Sequence, residues 1–242
     1  MKIGITYIFH NCFILSLPQK TFLFDYPADE YLTEPMKSVV ISKIKETELY
    51  VFSSHNHSDH FNKNIANLGA YPKSATYIFS SDIVKKNRRF KEDPLCLSAA
   101  PEETYQLNDM MVRTFRSNDI GVAFLIQIGG LNIYFGGDLA NWDWEGLNKQ
   151  EHKLLVEYFG EVLRKLGQWP VQIAFSNTDP RLKNWAGAAQ FIETVKPRLF
   201  VPMHTFGDTQ SLPKFSAENP QLQTEMFKYQ KTGDMMTFEI PV

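Results

Sequence analysis

Short apolar runs separated by turn residues dominate the first half of the chain. Lys2 to Leu17 reads as a strand pair, and Phe22 to Asp25 as a third strand after the turn Pro18-Gln19-Lys20. Leu49 to Ser53 and Ala75 to Ser80 are two more. A helix-like stretch over Asp82 to Asn87 follows the second, and Met111 to Thr114 is a further strand. Val122 to Ile128 and Leu131 to Phe135 flank Gly129-Gly130, a pair that suits the primed turn of a hairpin. Beyond it the period changes. Glu145 to Leu166 has helical spacing, with Leu147, Leu154, Leu155, Phe159, Val162, Leu163 and Leu166 on one stripe and Gly167 as cap. Val171 to Ser176 reads as a strand and Ala186 to Val195 as a helix stopped by Pro197. Arg198 to Pro202 is a strand leading to His204. Asp208 to Asn219 reads as loop, Gln221 to Tyr229 as a short helix and Met235 to Ile240 as a final strand. Strands first, then alternating helix and strand, suit layered sheets flanked by helices. No linker interrupts the pattern, so one domain over residues 1–242 is expected.

Composition narrows the partners. The chain is 43% hydrophobic and 21% charged, ordinary for a globular protein, and its net charge is −2. Without a basic field it is not expected to bind nucleic acid; a small-molecule substrate fits better. No run of 18 apolar residues is present, so no membrane span is expected. His10 and Asn11 interrupt the N-terminal apolar stretch, which reads as a first strand rather than a signal peptide, and the cytoplasm is the expected location. Cys12 and Cys96 make no disulfide framework and read as reduced, apolar residues near the core. The oligomeric state is left open.

Three of the six histidines fall in His55-Asn56-His57-Ser58-Asp59-His60. Imidazole is the commonest metal ligand, and so tight a cluster of His and Asp suits a metal site better than a polar surface turn. In extended backbone His55, His57 and Asp59 would share one face, and His60, entering a helical turn, would swing toward the same cavity. Four donors this close crowd a single ion; they can serve two neighbouring ones.

His-x-His-x-Asp-His after an apolar strand resembles the metallo-β-lactamase superfamily. Ile133-Tyr134-Phe135-Gly136-Gly137-Asp138 is similar to that family's strand ending in Gly-Asp, and Leu199-Phe200-Val201-Pro202-Met203-His204 to its late strand and terminal His ligand. Ile5 to Ile14 resembles the first hairpin of the ascorbate-6-phosphate lactonase-like branch, where a His lies near the metal pocket; Phe9 stands where that branch usually has Gly. Phe22 to Pro27 is similar to the branch's next strand and its Asp-containing turn. The resemblance implies an α/β fold, the four-layer αβ/βα metallo-β-lactamase sandwich, and one or two divalent ions. It implies Asp59, His60 and His204 around one ion, His55 and His57 around the other, and Asp138 bridging. These N and O donors do not select zinc sharply over manganese or iron. The family's additional His, expected near Ser117 to Asp119, is missing, since no His lies between His60 and Asp138. Asp119 is the substitute at that place; the alternative is that Asp119 caps a turn and the first site is weak.

The implied activity is metal-dependent hydrolysis by activated water of a small ester, lactone, or phosphorylated or carboxylated substrate, with Asp59 orienting the water. On the substrate side stand His10, Trp142 and Arg181, each with a plainer reading: a hydrogen-bonded core His, a helix anchor and a surface ion pair. His152 reads as a solvated helix residue. Two other classes remain. One is a degenerate metal-binding or regulatory module with little turnover. The other is a redox di-iron protein, whose family version carries Glu where this chain has His57, together with a flavin-binding domain.

Overall fold

The computed structural model describes residues 1–240. The chain forms two compact units, one of Met1–Ala100 with the stretch from Tyr229 onward, the other of Pro101–Lys228.

The first unit is built on a seven-stranded mixed sheet. Its strands are β1 (Lys2–Phe9), β2 (Cys12–Ser16), β3 (Lys20–Phe24), β4 (Glu48–Ser53), β5 (Ser74–Ser80) and β6 (Cys96–Ala99), with the C-terminal strand Met235–Glu239 beside β1. The C-terminal strand, β1, β2 and β3 pair antiparallel; β3 to β6 pair parallel. Parallel neighbours need crossovers. The first is α1 (Glu34–Ile44), which Thr33 caps by accepting from the Met36 N–H and which has Pro in its first turn. Val40 and Ile44 of α1 pack with Ile14, Leu23, Leu49, Val51 and Phe79. Leu49 to Phe52 of β4 are buried without alternation, as expected of a strand covered on both faces. The second crossover, from β4 to β5, carries the histidine cluster. Two short helices, α2 (Ser81–Lys86) and α3 (Arg88–Lys91), join β5 to β6.

The second unit repeats the plan. Its sheet runs β7 (Thr104–Leu107), β8 (Met110–Arg116), β9 (Val122–Ile128), β10 (Leu131–Phe135), β11 (Ile173–Asn177), β12 (Leu199–Met203), β13 (Glu225–Met226) in spatial order. The first four pair antiparallel and the last four parallel. Gly129 and Gly130 take φ +54° and +80°, the left-handed pair a primed turn requires. The crossovers are α4 (Lys149–Leu166) and α5 (Ala188–Val195), and α6 (Leu212–Glu218) precedes β13. Phe159, Val162, Leu163 and Leu166 of α4 pack with Phe191 and Ile192 of α5 and with Leu125, Tyr134, Ala174 and Phe200 of the sheet.

Several expectations need correction. The long helix begins at Lys149, not Glu145, because Gly146 takes φ +98°, and Asn148 with Glu151 forms a capping box. Leu147 therefore lies outside the helix, and Leu154 is 59% exposed rather than on the buried stripe. The stretch read as loop contains α6, whose buried pair Leu212 and Phe215 is too short a pattern to stand out among polar residues. The helix expected over Gln221 to Tyr229 is instead the edge strand β13 on Leu199 and Phe200. Helix α1 and strands β6 and β7 were not anticipated; α1 buries only Val40 and Ile44, so its periodicity is faint. Among the described residues no helix is long and apolar enough to cross a membrane.

Candidate metal centre

In each unit the polar residues of interest leave the carboxyl ends of parallel strands, where open α/β sheets place their ligands. In the first unit β3 delivers Asp25 and β4 delivers Ser54 and His55. Asp25 is fully buried with φ +40°, a conformation Asp tolerates better than most residues. Its carboxylate accepts from the Ser54 N–H at 2.7 Å, the Ser54 hydroxyl at 2.7 Å and His60 Nδ1 at 2.7 Å. Burial pushes the Asp25 carboxyl up, and the bonds from His60 and Ser54 recover only part of that shift. With its proton given to Asp25, the Ser54 oxygen accepts from His55 Nδ1 at 3.0 Å. Both histidines are thus held through Nδ1, and their Nε2 lone pairs are presented to the loop.

That loop is a turn, not an extended segment. The N–H groups of His60 and Phe61 both donate to the His57 carbonyl, at 3.1 and 2.9 Å. The expected common face of His55, His57 and Asp59 is therefore split. His55 Nε2 lies 2.8 Å from His57 Nδ1, whereas Asp59 Oδ2 lies 3.6 Å from His60 Nε2. The rings of His55 and His60 are 4.1 Å apart between centroids, so the cluster stays compact. His10, at φ +50° in the β1–β2 turn, is fully buried, with Nε2 3.5 Å from Asp59 Oδ2 and its ring edge-on to His60.

In the second unit β10 delivers Asp138, β11 delivers Asp179 and β12 delivers His204. The Asp138 turn is braced by Asn177, whose Nδ2 donates to the carbonyls of Gly137 and Leu139 at 2.9 and 3.3 Å. Trp142 Nε1 donates to the Asp138 carbonyl at 2.9 Å. His204, at φ +66°, gives Nδ1 to Asp179 at 3.0 Å and holds Nε2 3.5 Å from Asp138 Oδ1. Asp179 is buried and also takes a fork of bonds from Arg181 Nε and Nη2, at 2.9 to 2.6 Å. Burial pushes the Asp179 carboxyl up, but the bonds from Arg181 and His204 outweigh it and hold the carboxyl at about 2. A cavity of about 340 Å³ is lined by the polar residues Asn118, Asp119, Asp138 and His204 and by Trp142, Trp144 and Leu155. The Asp119 N–H donates to Ser117 Oγ at 3.1 Å, and carboxylate oxygens of Asp119 and Asp138 lie within 4.8 Å.

Two donors bound to one ion at about 2.0–2.1 Å in tetrahedral geometry stand about 3.4 Å apart. The His60–Asp59 and His204–Asp138 separations of 3.6 and 3.5 Å match that spacing, so the residues present fit a divalent ion.

The sequence reading missed the imidazole-holding roles of Asp25, Ser54 and Asp179. The available signal was a polar residue directly after a buried strand of a parallel run. Arg181 lies in the ion pair with Asp179, its side chain half exposed. His152 is half exposed beside Asp143 at 3.0 Å. Both cysteines are free, Cys12 buried and Cys96 partly so.

No curated protein matches the chain. Among solved structures, Igni18, a metallo hydrolase from the archaeon Ignicoccus hospitalis, is similar over 100% of both chains at 15% identity, with a TM-score of 0.68. YhfI of Bacillus subtilis, a metallo-beta-lactamase fold protein, is similar over 98% of this chain and 99% of that one at 11% identity, with a TM-score of 0.66. CmlA of Streptomyces venezuelae, a diiron beta-hydroxylase, is similar over 98% of this chain and 54% of that one at 13% identity, with a TM-score of 0.54. Identities this low establish the fold alone, the metallo-β-lactamase α/β sandwich, and it serves more than one chemistry. The family described as the beta-lactamase superfamily domain matches residues 4–204, and the chain belongs to it.

Proposed function

We propose that the chain is a metal-dependent hydrolase of a small ester, lactone, or phosphorylated or carboxylated substrate, akin to the ascorbate-6-phosphate lactonase-like branch. Both units serve as one functional domain, and the reaction takes place in the cytoplasm. The observation that carries this reading is the repeated arrangement of a buried Asp on an imidazole Nδ1 with Nε2 set beside a second carboxylate. It occurs at Asp25–His60–Asp59 and at Asp179–His204–Asp138. A carboxylate on the remote nitrogen fixes the tautomer and raises the basicity of a ligating histidine. Asp59, His60 and His204 would hold one divalent ion and His55, His57 and Asp119 another, with Asp138 common to both. An ion held there would supply Lewis acidity and bring water into its nucleophilic form near neutral pH. Asp59, besides ligating, orients that water. His10, Trp142 and Arg181 would serve the substrate, Arg181 by positioning Trp144 rather than by lining the cavity. Hydrolysis is preferred to di-iron oxidation because His57 stands where the redox form of the family carries Glu.

The test is metal counted per chain by elemental analysis. The double variant His57→Ala/His60→Ala should lose its metal; full retention would refute the ligand set. Asp119→Ala should lower the stoichiometry, whereas Asp119→His should keep metal and raise zinc preference, since imidazole is the softer donor. A module that binds metal without turnover is the rival, and it predicts full metal content with no hydrolysis across ester, lactone and phosphate panels.

A further inference from the structure

The cavity of the second unit has an apolar wall that ligand binding to a metal does not require. The indole rings of Trp142 and Trp144 lie parallel within 7°, with centroids 5.9 Å apart. Leu155 of α4 continues the wall. Trp144 is 40% exposed, so part of its ring is open beside the cavity. It is nonetheless held in place. The Arg181 guanidinium lies 5.2 Å from the Trp144 ring and 4.6 Å from the Phe206 ring, and the fork on Asp179 fixes that guanidinium in turn. Phe206, Arg181 and Trp144 thus brace one another, with Trp142 beside Trp144, and both tryptophans line the cavity.

The charges around this wall decide what suits it. Among the described residues lining the cavity none is Lys or Arg, and Asp119 and Asp138 are the charged ones besides His204. Arg181, behind Trp144, already has a carboxylate on two of its nitrogens. Apart from an ion held at Asp119, Asp138 and His204, a phosphate or carboxylate laid along the tryptophans would meet no Lys or Arg lining the cavity. A flat, neutral ring would gain both burial and offset stacking. A cavity of about 340 Å³ is at the small end of ligand sites, so one or two fused rings fill it.

We infer that the substrate is a neutral ester or lactone bearing an aromatic ring, which rests on the Trp142–Trp144 wall with Trp144 as a specificity-determining residue. This inference rests on the hydrolase reading for its reaction but not for its binding step, and the experiment separates the two. Binding of 1-naphthol and of 1-naphthyl phosphate is measured by calorimetry on the full chain, as purified and after chelation, for wild type, Trp144→Ala and Trp144→Phe. After chelation 1-naphthol should bind more tightly than 1-naphthyl phosphate. Its affinity should fall roughly five- to tenfold in Trp144→Ala, the loss expected for one stacking partner, and return to within about twofold in Trp144→Phe. Metal per chain should be the same in all three proteins. Tighter binding of the phosphate after chelation, or unchanged 1-naphthol affinity in Trp144→Ala, would overturn the inference. Naphthol binding with metal present but no hydrolysis of 1-naphthyl acetate supports the binding inference and removes the hydrolase reading. Hydrolysis of ethyl acetate with no naphthol binding does the reverse.

Discussion

At the end of β3 a buried carboxylate, Asp25, holds His60; at the end of β11 another, Asp179, holds His204. The two contacts are of similar length, 2.7 and 3.0 Å, and each leaves an Nε2 beside a further carboxylate. What else the two carboxylates touch is different. Asp25 has neutral partners besides the histidine, the N–H and hydroxyl of Ser54, and burial drives its carboxyl upward. Asp179 has the Arg181 fork and sits at about 2. The same orienting task is thus met once by a network of neutral donors and once by a charge-matched pair. The first is more costly to break, because every donor left behind is buried.

The largest effect should come from Asp25→Ala. It strands the Ser54 N–H, the Ser54 hydroxyl and His60 Nδ1 in a fully buried place, and should cost about 3 kcal/mol or more of stability. Denaturant midpoints of the metal-free protein check this, and a loss under about 1 kcal/mol would contradict it. Asp25→Asn tolerates the left-handed backbone and keeps the shape, so it should retain more stability. It should still lower metal affinity roughly 10–100-fold through His60.

Asp179→Asn should lower metal affinity in the same range through His204, and the two Asn variants should differ in acid. The folded Asp179 carboxyl, at about 2, lies below its ordinary 3.8. Its contribution to stability is complete above about pH 4 and is lost as pH falls toward 2. Asp25 has the opposite sign: its folded carboxyl lies above 3.8, so its ionised form is disfavoured by folding and stability is regained as pH falls toward 4. The stability gap between wild type and Asp179→Asn should narrow in acid, whereas the gap for Asp25→Asn should hold or widen. Urea midpoints of the metal-free proteins at pH 6, 4 and 3 test the pair, and parallel gaps would remove the distinction.

This contrast was only half visible in the sequence. The strands were legible because runs such as Leu49 to Ser53 and Ile133 to Phe135 have nothing polar inside them, and the Gly129-Gly130 turn has one conformational use. The His55 to His60 cluster announced itself by chemistry. The carboxylates that hold the imidazoles did not, since Asp25 lies 35 residues from His60 and Asp179 lies 25 from His204, and each acquires meaning when parallel pairing brings β3 beside β4 and β11 beside β12. Helix α6 was hidden because its burial rests on Leu212 and Phe215 alone, and β13 because two residues carry no period.

The smallest effect is the one that sharpens the comparison. Arg181→Ala leaves Asp179 buried with His204 as its remaining side-chain partner, and so makes the second carboxylate resemble the first. The Arg181 side chain is 51% exposed, and the variant loses three side-chain hydrogen bonds while the backbone N–H at 181 still donates to the buried Asp179, so the stability loss should be about 1–2 kcal/mol, below that of Asp25→Ala. The Asp179 oxygen bound to His204 also serves Arg181 Nη2, so freeing it should let the His204 contact tighten rather than fail. Metal affinity should therefore move by less than about threefold, well under the 10–100-fold expected when the carboxylate itself is changed. Competition with a chromophoric chelator measures this directly. A loss as large as that of Asp179→Asn would mean that the guanidinium, not the carboxylate, sets the position of His204, and the likeness between the two units would end there.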